Sequence, residues 1–447
     1  MMRVSFGKFA KGGAARMALA TALATGLVAG GATLGATAAV AKEKEAAKAG
    51  AFSKEFVAVA GPLQKVLGDA AAAKAKGASD ADIKTQLAGA PAQLAAAEAA
   101  IKNPTDRMTA GQFAVNLGGM LGDIGMRERG IKNMLDSGLV PADKVSEYQF
   151  YLGNFAYTQK DWPVAVDALT KVVQANYSED TAAELLADAY VQQGKPAEGL
   201  QALKLAVDTR KAAGGTVPAD WFKRANLIAY KAKLGPQAIE WSTMMVANDP
   251  SPINWLGAGQ LTREFGTFTN QESLDLGRLM MRSGAFQSDP KYLEREYVEY
   301  IEAADPRRLP GEVLKVAEAG VAAGVLRAND QFVADAISQA KGRIAADKAS
   351  LPGLERDARA GADGKGALAT ADAYLSYGDA AKAEDLYKLA IQKGNIDKDR
   401  ALTRLGIAQC DEGKYEEAKA TFAQITGAVR APLAKLWTVY ATTKAAK

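Results

Sequence analysis

The chain contains no histidine and only one cysteine, Cys410. Without histidine there is no imidazole to activate a serine or cysteine nucleophile, to act as a general base or to bind a metal ion. A single cysteine cannot form an intramolecular disulfide or a cysteine-rich zinc site. These absences leave carboxylate chemistry as the main catalytic option, and we expect Cys410 to be a small buried apolar residue.

Aromatic residues are also scarce, at 7% of the 447 residues, whereas alanine is abundant and glycine occurs 43 times. Strands favour β-branched and aromatic residues, and alanine favours helices. A chain of this length can bury one large core or several smaller ones. The composition therefore predicts an all-α protein whose helices approach one another closely.

Charge is absent from residues 17–41, a stretch of small and apolar residues that follows a basic start. This layout is typical of a secretory signal peptide, and the small residues that end the stretch predict cleavage after Ala41. An uncleaved membrane anchor is the alternative, but the glycines and threonines of the stretch make a poor membrane-spanning helix. We therefore expect a signal peptide at 1–41 and a periplasmic or secreted protein without a stable membrane span.

The predicted signal also explains the formal net charge of +4. It holds four of the 55 basic residues and no acidic one, so the rest of the chain has 51 basic and 51 acidic residues. Because nucleic-acid binding needs a basic surplus, we do not expect DNA or RNA as a partner. We expect no cofactor and no metal ion.

A ladder of small and large apolar residues recurs along the chain every 34 or 35 residues. Near the C-terminus, four residues are followed 35 positions later by four of the same kind: Ala371, Gly378, Ala383 and Tyr387, then Gly406, Gly413, Ala418 and Phe422. Earlier, a ladder with a spacing of 34 holds Gly153, Ala165 and Leu169, then Ala187, Gly199 and Leu203. A further copy 35 residues before Gly153 holds Gly118 and Gly130, and a weaker copy lies near Phe222. The spacing predicts stacked helix hairpins, in which small residues allow close approach and one hairpin cannot bury its apolar face alone.

These positions resemble the consensus of the tetratricopeptide repeat (TPR) family. The closest match is formed by Leu402, Leu405, Gly406, Gly413, Tyr415, Ala418 and Phe422. The resemblance is clear over 112–213 and 364–432 and weaker over 219–252. It implies an α-solenoid, a right-handed superhelix of helix-turn-helix repeats, in an exported member of bacterial type.

In the TPR family the first helix of each repeat lines a concave groove that holds a peptide or a folded protein. Carried over by position, the resemblance implies a partner groove with seven residues: Asn154, Tyr157, Asp188, Lys223, Tyr230, Lys231 and Asp372. The paired lysine, asparagine and arginine pattern of chaperone-binding members is not repeated in adjacent copies. A chaperone tail is therefore not the expected ligand, and other proteins or peptides are the expected partners.

Changes in composition predict the division of the chain. After the signal peptide we expect an Ala-rich helical region at 42–110, a TPR array at 111–252, divergent helical repeats at 253–350, a linker at 351–366 and a C-terminal TPR pair at 367–440. The linker is expected because Leu351-Pro352-Gly353 and Gly361-Ala362-Asp363-Gly364 interrupt the helical pattern.

Three local patterns have both a functional and a structural interpretation. Gln271-Glu272-Ser273 resembles the catalytic pair of lytic transglycosylases, but the downstream signature is missing, so Glu272 is interpreted as a helix-start residue. The glycines at 118, 119, 122 and 125 lack the Lys-Ser/Thr of a phosphate loop and are interpreted as helix packing. The run Glu294, Glu296, Glu299 and Glu302 is interpreted as a solvated helix face instead of a metal site.

The sequence therefore favours a non-enzymatic, exported scaffold or adaptor of the cell envelope that binds other proteins. The alternative is a helical cell-wall protein that binds glycan or recruits a peptidoglycan hydrolase. An enzyme in its own right is the third hypothesis, and Glu272 would be its acid.

Overall fold

The computed structural model describes residues 50–446, so the predicted signal peptide lies outside the described residues. Within 50–446 the chain forms α-helices and short 3-10 turns and contains no strand, which confirms the all-α prediction. It divides into two compact units, Met1–Thr216 (unit 1) and Val217–Lys447 (unit 2). Each unit is described here by its own helices.

Unit 1 has nine α-helices in its described part. They are α1 (Lys54–Ala75), α2 (Asp80–Gln86), α3 (Ala90–Ala99), α4 (Pro104–Leu121), α5 (Ile124–Asp136), α6 (Val145–Gln159), α7 (Trp162–Gln174), α8 (Thr181–Gln192) and α9 (Pro196–Ala212). From α4 onwards, each helix packs against the next one, so that α4–α5, α6–α7 and α8–α9 form successive hairpins. The described part of the expected Ala-rich region is helical and contributes α1, α2 and α3.

Unit 2 has twelve α-helices. They are α10 (Ala219–Lys231), α11 (Gly235–Asn248), α12 (Pro252–Phe265), α13 (Asn270–Ser283), α14 (Glu294–Ala304), α15 (Pro310–Ala322), α16 (Gln331–Ala360), α17 (Lys365–Ser376), α18 (Ala380–Lys393), α19 (Lys398–Asp411), α20 (Tyr415–Phe422) and α21 (Ala431–Ala445). Here too neighbours in sequence pack together. The repeated hairpins in both units are consistent with the predicted α-solenoid.

The small residues of the ladder lie where two helices of a hairpin approach closely. A Cβ atom added to Gly153 of α6 would lie 2.6 Å from Cγ of Leu169 on α7. Ala371 and Ala383, on α17 and α18, are fully buried. The turn glycines Gly378 and Gly413 have φ angles of 85° and 78°, a conformation that disfavours side chains with a Cβ. The spacing therefore located the hairpins and their turns correctly.

Apolar burial differs between the two units. The described part of unit 1 contains several separate clusters, the largest running from Phe56 to Met126. In unit 2 one continuous cluster runs from Val246 to Ala441, and it includes Cys410, which is buried as expected. This cluster therefore extends from α11 to α21, whereas the buried Trp221 and Phe222 of α10 lie outside it.

The structure contains a helix where the sequence predicted a linker at 351–366. Residues 351–360 form the last part of α16, a helix of 30 residues with Pro352 in its interior. The proline removes one backbone N–H donor, but Leu351 and Ala358 on either side of it are buried and hold the helix in place. Only residues 361–364 depart from helical geometry.

The boundary between the units lies instead at 216/217, inside the expected TPR array at 111–252. Here Gly214-Gly215 follows α9, and Val217-Pro218 precedes α10. Two glycines and a proline interrupt helices strongly, so the composition did mark this boundary. The boundary was not predicted, because the spacing of the ladder continues from unit 1 into unit 2.

Candidate partner-binding surface

The structure separates the predicted groove residues into two sets. Asn154 and Tyr157 lie on α6 and Asp188 lies on α8, so these three belong to unit 1. The others belong to unit 2: Lys223, Tyr230 and Lys231 on α10, and Asp372 on α17. The seven residues therefore do not form one surface within a single unit.

In unit 1 the predicted residues lie on neighbouring first helices. The hydroxyl of Tyr157 on α6 donates a hydrogen bond to the carboxylate of Asp188 on α8. Nε2 of Gln192, one turn further along α8, lies 3.4 Å from the same carboxylate. The ring of Tyr157 packs edge-to-face against Trp162, with the ring centroids 5.5 Å apart. Tyr157 and Asp188 are thus held in fixed positions on a partly exposed face.

The same face of α6 carries a second polar contact. Oη of Tyr151 donates to Glu147 at 3.2 Å, and Nζ of Lys144 donates to the other carboxylate oxygen at 3.1 Å. Burial and the negative charge of Glu147 raise the pKa of Tyr151 to about 12, so its phenol stays protonated. We call the surface formed by Glu147, Tyr151, Asn154 and Tyr157 of α6, with Asp188 of α8, the first-helix face of unit 1. The four residues of α6 recur every three or four positions, whereas Leu152 and Gly153 are buried in the hairpin.

The predicted residues on α10 of unit 2 are exposed. Nζ of Lys223 lies 2.9 Å from the carboxylate of Asp220 one turn earlier, and both side chains remain mostly in solvent. Tyr230 is half exposed, and its ring packs edge-to-face on Phe265 of α12 at 6.0 Å. Lys231 is exposed as well.

Asp372 is not available to a partner, contrary to the sequence prediction. Its side chain is buried and accepts a hydrogen bond of 2.8 Å from the hydroxyl of Tyr387. Arg400 and Arg404 of α19 bind its other oxygen. The position on the first helix was predicted correctly, but in unit 2 the next hairpin supplies two arginines that cover this carboxylate.

Asp372 belongs to a buried group of charges that we call the Asp275 cluster. Its members are Asp275 and Arg278 on α13, Glu312 on α15, Asp372 on α17, Arg404 on α19, and Arg430 just before α21. All six side chains are at least nine-tenths buried. The cluster thus contains three carboxylates and three guanidinium groups.

Asp275 lies at the centre of this cluster. One of its oxygens accepts from Nε of Arg404 at 2.9 Å, and the other accepts from Nη1 of Arg430 at 2.8 Å. Nη1 of Arg278 lies 3.3 Å from the first oxygen. Burial alone would raise the pKa of Asp275, but the three arginines outweigh burial and lower that pKa to about 2.

A second ion pair extends the cluster to α15. Arg278 binds Glu312 through two parallel hydrogen bonds of 2.8 and 2.7 Å, and Tyr300 donates to the same carboxylate at 2.7 Å. This bidentate geometry is the strongest arrangement for an arginine and a carboxylate. The pKa of Glu312 is lowered because Arg278 and these hydrogen bonds outweigh its burial.

The lowered pKa of Asp275 predicts acid-induced destabilisation of unit 2. The folded pKa of about 2 lies below the ordinary value of 3.8, so Asp275 contributes stability that is fully present above pH 4. This contribution is lost as the pH falls towards 2, and it amounts to about 2 kcal/mol. Urea unfolding at a series of pH values should show the decline for the wild type. A smaller decline in Asp275→Asn would assign it to this carboxylate, and equal slopes in the two proteins would contradict the assignment.

The sequence did not identify the Asp275 cluster. A charged residue on a helix is normally exposed, so Arg404 and Arg430 look like surface residues in the sequence. One signal was present: Asp275 and Arg278 stand among Leu274, Leu276 and Leu279, so both charges are flanked by apolar residues. When such a stretch is buried, its charges must find partners inside the protein.

The structure explains Glu272 as a helix-start residue, as the sequence indicated. Its carboxylate accepts from the backbone N–H of Thr269 at 3.0 Å, and together they form a capping box at the start of α13. Its other oxygen lies 2.7 Å from Nη2 of Arg430. Glu272 is therefore buried at the edge of the Asp275 cluster.

The acidic run of α14 differs from its sequence interpretation. Glu296 is buried and pairs with Arg263 of α12, which also reaches Glu299 at 2.7 Å. The run is thus partly a packing surface between two first helices and not only a solvated face. Within residues 50–446 we find no group of three or more potential metal-ligating side chains.

Of the glycines at 118, 119 and 122, only Gly118 has the predicted packing role. A Cβ atom on Gly118 would lie 2.7 Å from the carbonyl oxygen of Asp123, so this glycine allows close packing, as predicted. Gly122 ends the helix with a φ angle of 77°. Gly119 faces open space.

No family model matches the chain, and no curated protein sequence matches it. Among solved structures, the TPR2AB domain of yeast Sti1 in complex with a pHSP90 is 15% identical, with a TM-score of 0.24, over 68% of this chain and 100% of that one. A circular tandem repeat protein is 13% identical, with a TM-score of 0.14, over 88% of this chain and 97% of its own. Because both TM-scores are below 0.5, the repeat architecture rests on the chain's own helix hairpins.

Between residues 50 and 446 no helix is both long and apolar enough to cross a bilayer.

Proposed function

We propose that this protein is an exported TPR-type scaffold or adaptor of the cell envelope, and that it binds polypeptide partners on the first-helix face of unit 1. It catalyses no reaction itself in this proposal. The observation that carries the proposal is the row of part-exposed aromatic and polar side chains on α6 and α8. Tyrosine side chains offer a large contact area with little loss of conformational entropy, and they are enriched in protein interfaces.

The preorganisation of this face supports the proposal. Tyr157 is already held by Asp188 and Trp162, and Tyr151 by Glu147. A partner therefore meets side chains whose rotamers are already restricted, which lowers the entropic cost of binding. Asn154 lies between the two tyrosines on α6 and is partly exposed, so its amide can pair with a polypeptide backbone.

A pair of matched substitutions tests the face. Asn154→Arg places a bulky cation in the centre of the first-helix face, whereas Asp167→Arg places one on α7, where Asp167 is exposed on the second helix of the same hairpin. In affinity capture from the envelope fraction, we expect the wild type and Asp167→Arg to retain the same protein partner. Asn154→Arg should retain at least tenfold less of this partner. Equal retention by both variants would contradict this face as the binding site.

The same variants distinguish the alternative function, a helical cell-wall protein that binds glycan or recruits a hydrolase. Co-sedimentation with purified cell-wall sacculi, unchanged in Asn154→Arg, would favour a glycan-binding appendage instead of a polypeptide scaffold. Muramidase activity that disappears in Glu272→Gln would favour the enzyme. Glu272→Gln also weakens the capping box of α13, so the folded state of this variant has to be checked by circular dichroism.

Export is tested independently of binding. The basic start and the uncharged stretch at 17–41 support a signal peptide that is removed after Ala41. N-terminal sequencing of the protein recovered outside the cytoplasm should begin at Lys42. A chain that retains Met1 and sediments with membranes would instead support an uncleaved anchor.

A further inference from the structure

Arg127 on α5 of unit 1 is a part-buried cation without a counter-ion. Within residues 50–446 its side chain forms no ion pair and no hydrogen bond, and its Nε atom is shielded from solvent without an acceptor. Burial lowers the pKa of Arg127, and the group that opposes this effect is the phenol of Tyr151 and not a carboxylate. Charges that lose hydration are normally paired, so this guanidinium lacks a partner that its surroundings favour.

Carboxylates do lie on the segments around Arg127, but none of them pairs with it. Asp123 and Asp161 cap the starts of α5 and α7. Glu147 of α6 binds the lysine three residues before it. Glu128 follows Arg127 directly in sequence, but burial and the charge of Asp161 raise the pKa of Glu128. The charge of Arg127 is therefore not neutralised by a carboxylate from the part of unit 1 that the structure describes.

The position of Arg127 is fixed by contacts on two sides. Its aliphatic stem packs on α4, where a Cβ atom added to Gly118 would lie 2.8 Å from Cγ of Arg127. Its guanidinium lies over the ring of Phe155 on α6, 4.3 Å from the ring centroid. Such a cation–π contact orients the guanidinium but does not neutralise its charge. Arg127 is therefore held between α4 and α6 with its charge unpaired.

The ring under Arg127 connects it to the first-helix face. Phe155 and Tyr151 are one turn apart on α6, and their rings are stacked with centroids 6.5 Å apart. Asn154, which belongs to the same face, precedes Phe155 directly. Arg127, Phe155 and Tyr151 are all part-exposed, and we call these three residues the Arg127 edge. The Arg127 edge thus places a positive charge beside two aromatic rings.

We propose that the Arg127 edge binds an acidic side chain of the polypeptide partner and so selects a partner segment in which an acidic residue stands beside an apolar one. This inference rests on the proposed function, in which the first-helix face binds a polypeptide. The terminal nitrogens of Arg127 are not shielded, so they can donate two parallel hydrogen bonds to one carboxylate. Phe155 and Tyr151 provide the contact area for the apolar neighbour. Arg127 is already partly desolvated, so pairing costs less hydration here than at a fully exposed arginine.

Selection from a library of random peptides displayed on phage tests this inference on the full chain. We expect the wild type to select peptides in which aspartate or glutamate stands beside an aromatic or aliphatic residue. A synthetic copy of a selected peptide should bind Arg127→Gln at least about tenfold more weakly in isothermal titration calorimetry, because its carboxylate loses a charged partner. The matched control is Arg129→Gln, which removes the same charge from an exposed position on the same helix. This control should bind the peptide like the wild type.

The variant Asn154→Arg separates this inference from the proposed function. Peptides that Asn154→Arg fails to bind, but that Arg127→Gln binds as tightly as the wild type, would leave the first-helix face as the binding site and overturn only the role of Arg127. Selected peptides without enrichment of acidic residues would overturn it as well. If the wild type selected no peptide at all, the result would contradict the proposed function and this inference together.

The stability of Arg127→Met gives a second measurement that needs no peptide. Methionine keeps an unbranched apolar stem between Gly118 and Phe155 but removes the charge. Since no carboxylate of unit 1 loses a partner, we expect the urea midpoint, followed by circular dichroism, to equal or exceed that of the wild type. A lower midpoint would show that the guanidinium has a structural role within unit 1, and it would overturn the assignment of Arg127 to a partner.

Discussion

Asp275→Asn is expected to lower the free energy of unfolding of unit 2 by about 3–5 kcal/mol, which is the usual cost of a buried charge that loses its partner. The asparagine removes the negative charge that neutralises Arg278, Arg404 and Arg430. It also turns an N–H donor towards groups that are themselves donors. The loss should therefore exceed that caused by protonation of Asp275 in acid. Urea unfolding followed by tryptophan fluorescence is a suitable measurement, because four of the five tryptophans lie in unit 2.

The control for this prediction is Asp385→Asn. Asp385 also pairs with an arginine, Arg359, but both side chains are about half exposed. Exposed pairs contribute less than about 1 kcal/mol, so this variant should unfold almost like the wild type. A loss below about 1 kcal/mol in Asp275→Asn as well would contradict the central role of Asp275.

Gly111→Ala is expected to destabilise unit 1 by about 3 kcal/mol, at the upper end for an overpacked core. The added Cβ atom would lie 2.5 Å from the carbonyl oxygen of Gly130 and 2.9 Å from the backbone nitrogen of Met134, both on α5. Backbone atoms of a helix cannot move aside in the way that a flexible side chain can. Helices α4 and α5 would therefore have to separate along their whole interface. Urea unfolding followed by circular dichroism should show the loss in unit 1, since tryptophan fluorescence reports mainly on unit 2.

Gly119→Ala on the same helix should have the opposite effect. Gly119 is exposed, and nothing lies within 4 Å of an added Cβ atom. Alanine has the higher helix propensity, so we expect a gain of roughly 0.5–1 kcal/mol. If the two variants were equally stable, the close approach of α4 and α5 at Gly111 would be contradicted.

Local pattern was sufficient to predict the hairpins and their turns where the 34- or 35-residue ladder is clear. Gly153, Ala371 and Gly406 were predicted to lie at close helix crossings because a small residue recurred there at a fixed spacing. The same reasoning missed Gly111, although this residue lies at the tightest approach between α4 and α5. Its partner Gly130 did fit the ladder, but the ladder paired Gly130 with Gly118 of α4 and not with Gly111 of the same helix.

The candidate surface was predicted only in part, for an equally physical reason. Position in the repeat places Asn154, Tyr157 and Asp188 on one face, and the structure brings Tyr157 and Asp188 into contact. The same positional argument placed Asp372 on an open groove. The positional argument could not predict that the arginines of α19 cover Asp372. A repeat pattern places positions on helices, but it does not say which side chains of the next hairpin bind a carboxylate.

The sequence by itself determined the features that depend on neighbouring residues: helical periodicity, small residues at crossings, glycines at turns and the position of Glu272 at the start of a helix. These depend on interactions over a few residues, or over one repeat of 34 or 35, so their signals survive in a linear pattern. Only the tertiary structure decided where the units divide, that α16 continues through Pro352, and that α11 and α13 pack against α21, the last helix of unit 2. It also decided which charges are buried. A charge at the centre of a fold looks the same in sequence as one on the surface, and the partners of Asp275 on α19 and beside α21 lie 129 and 155 residues away.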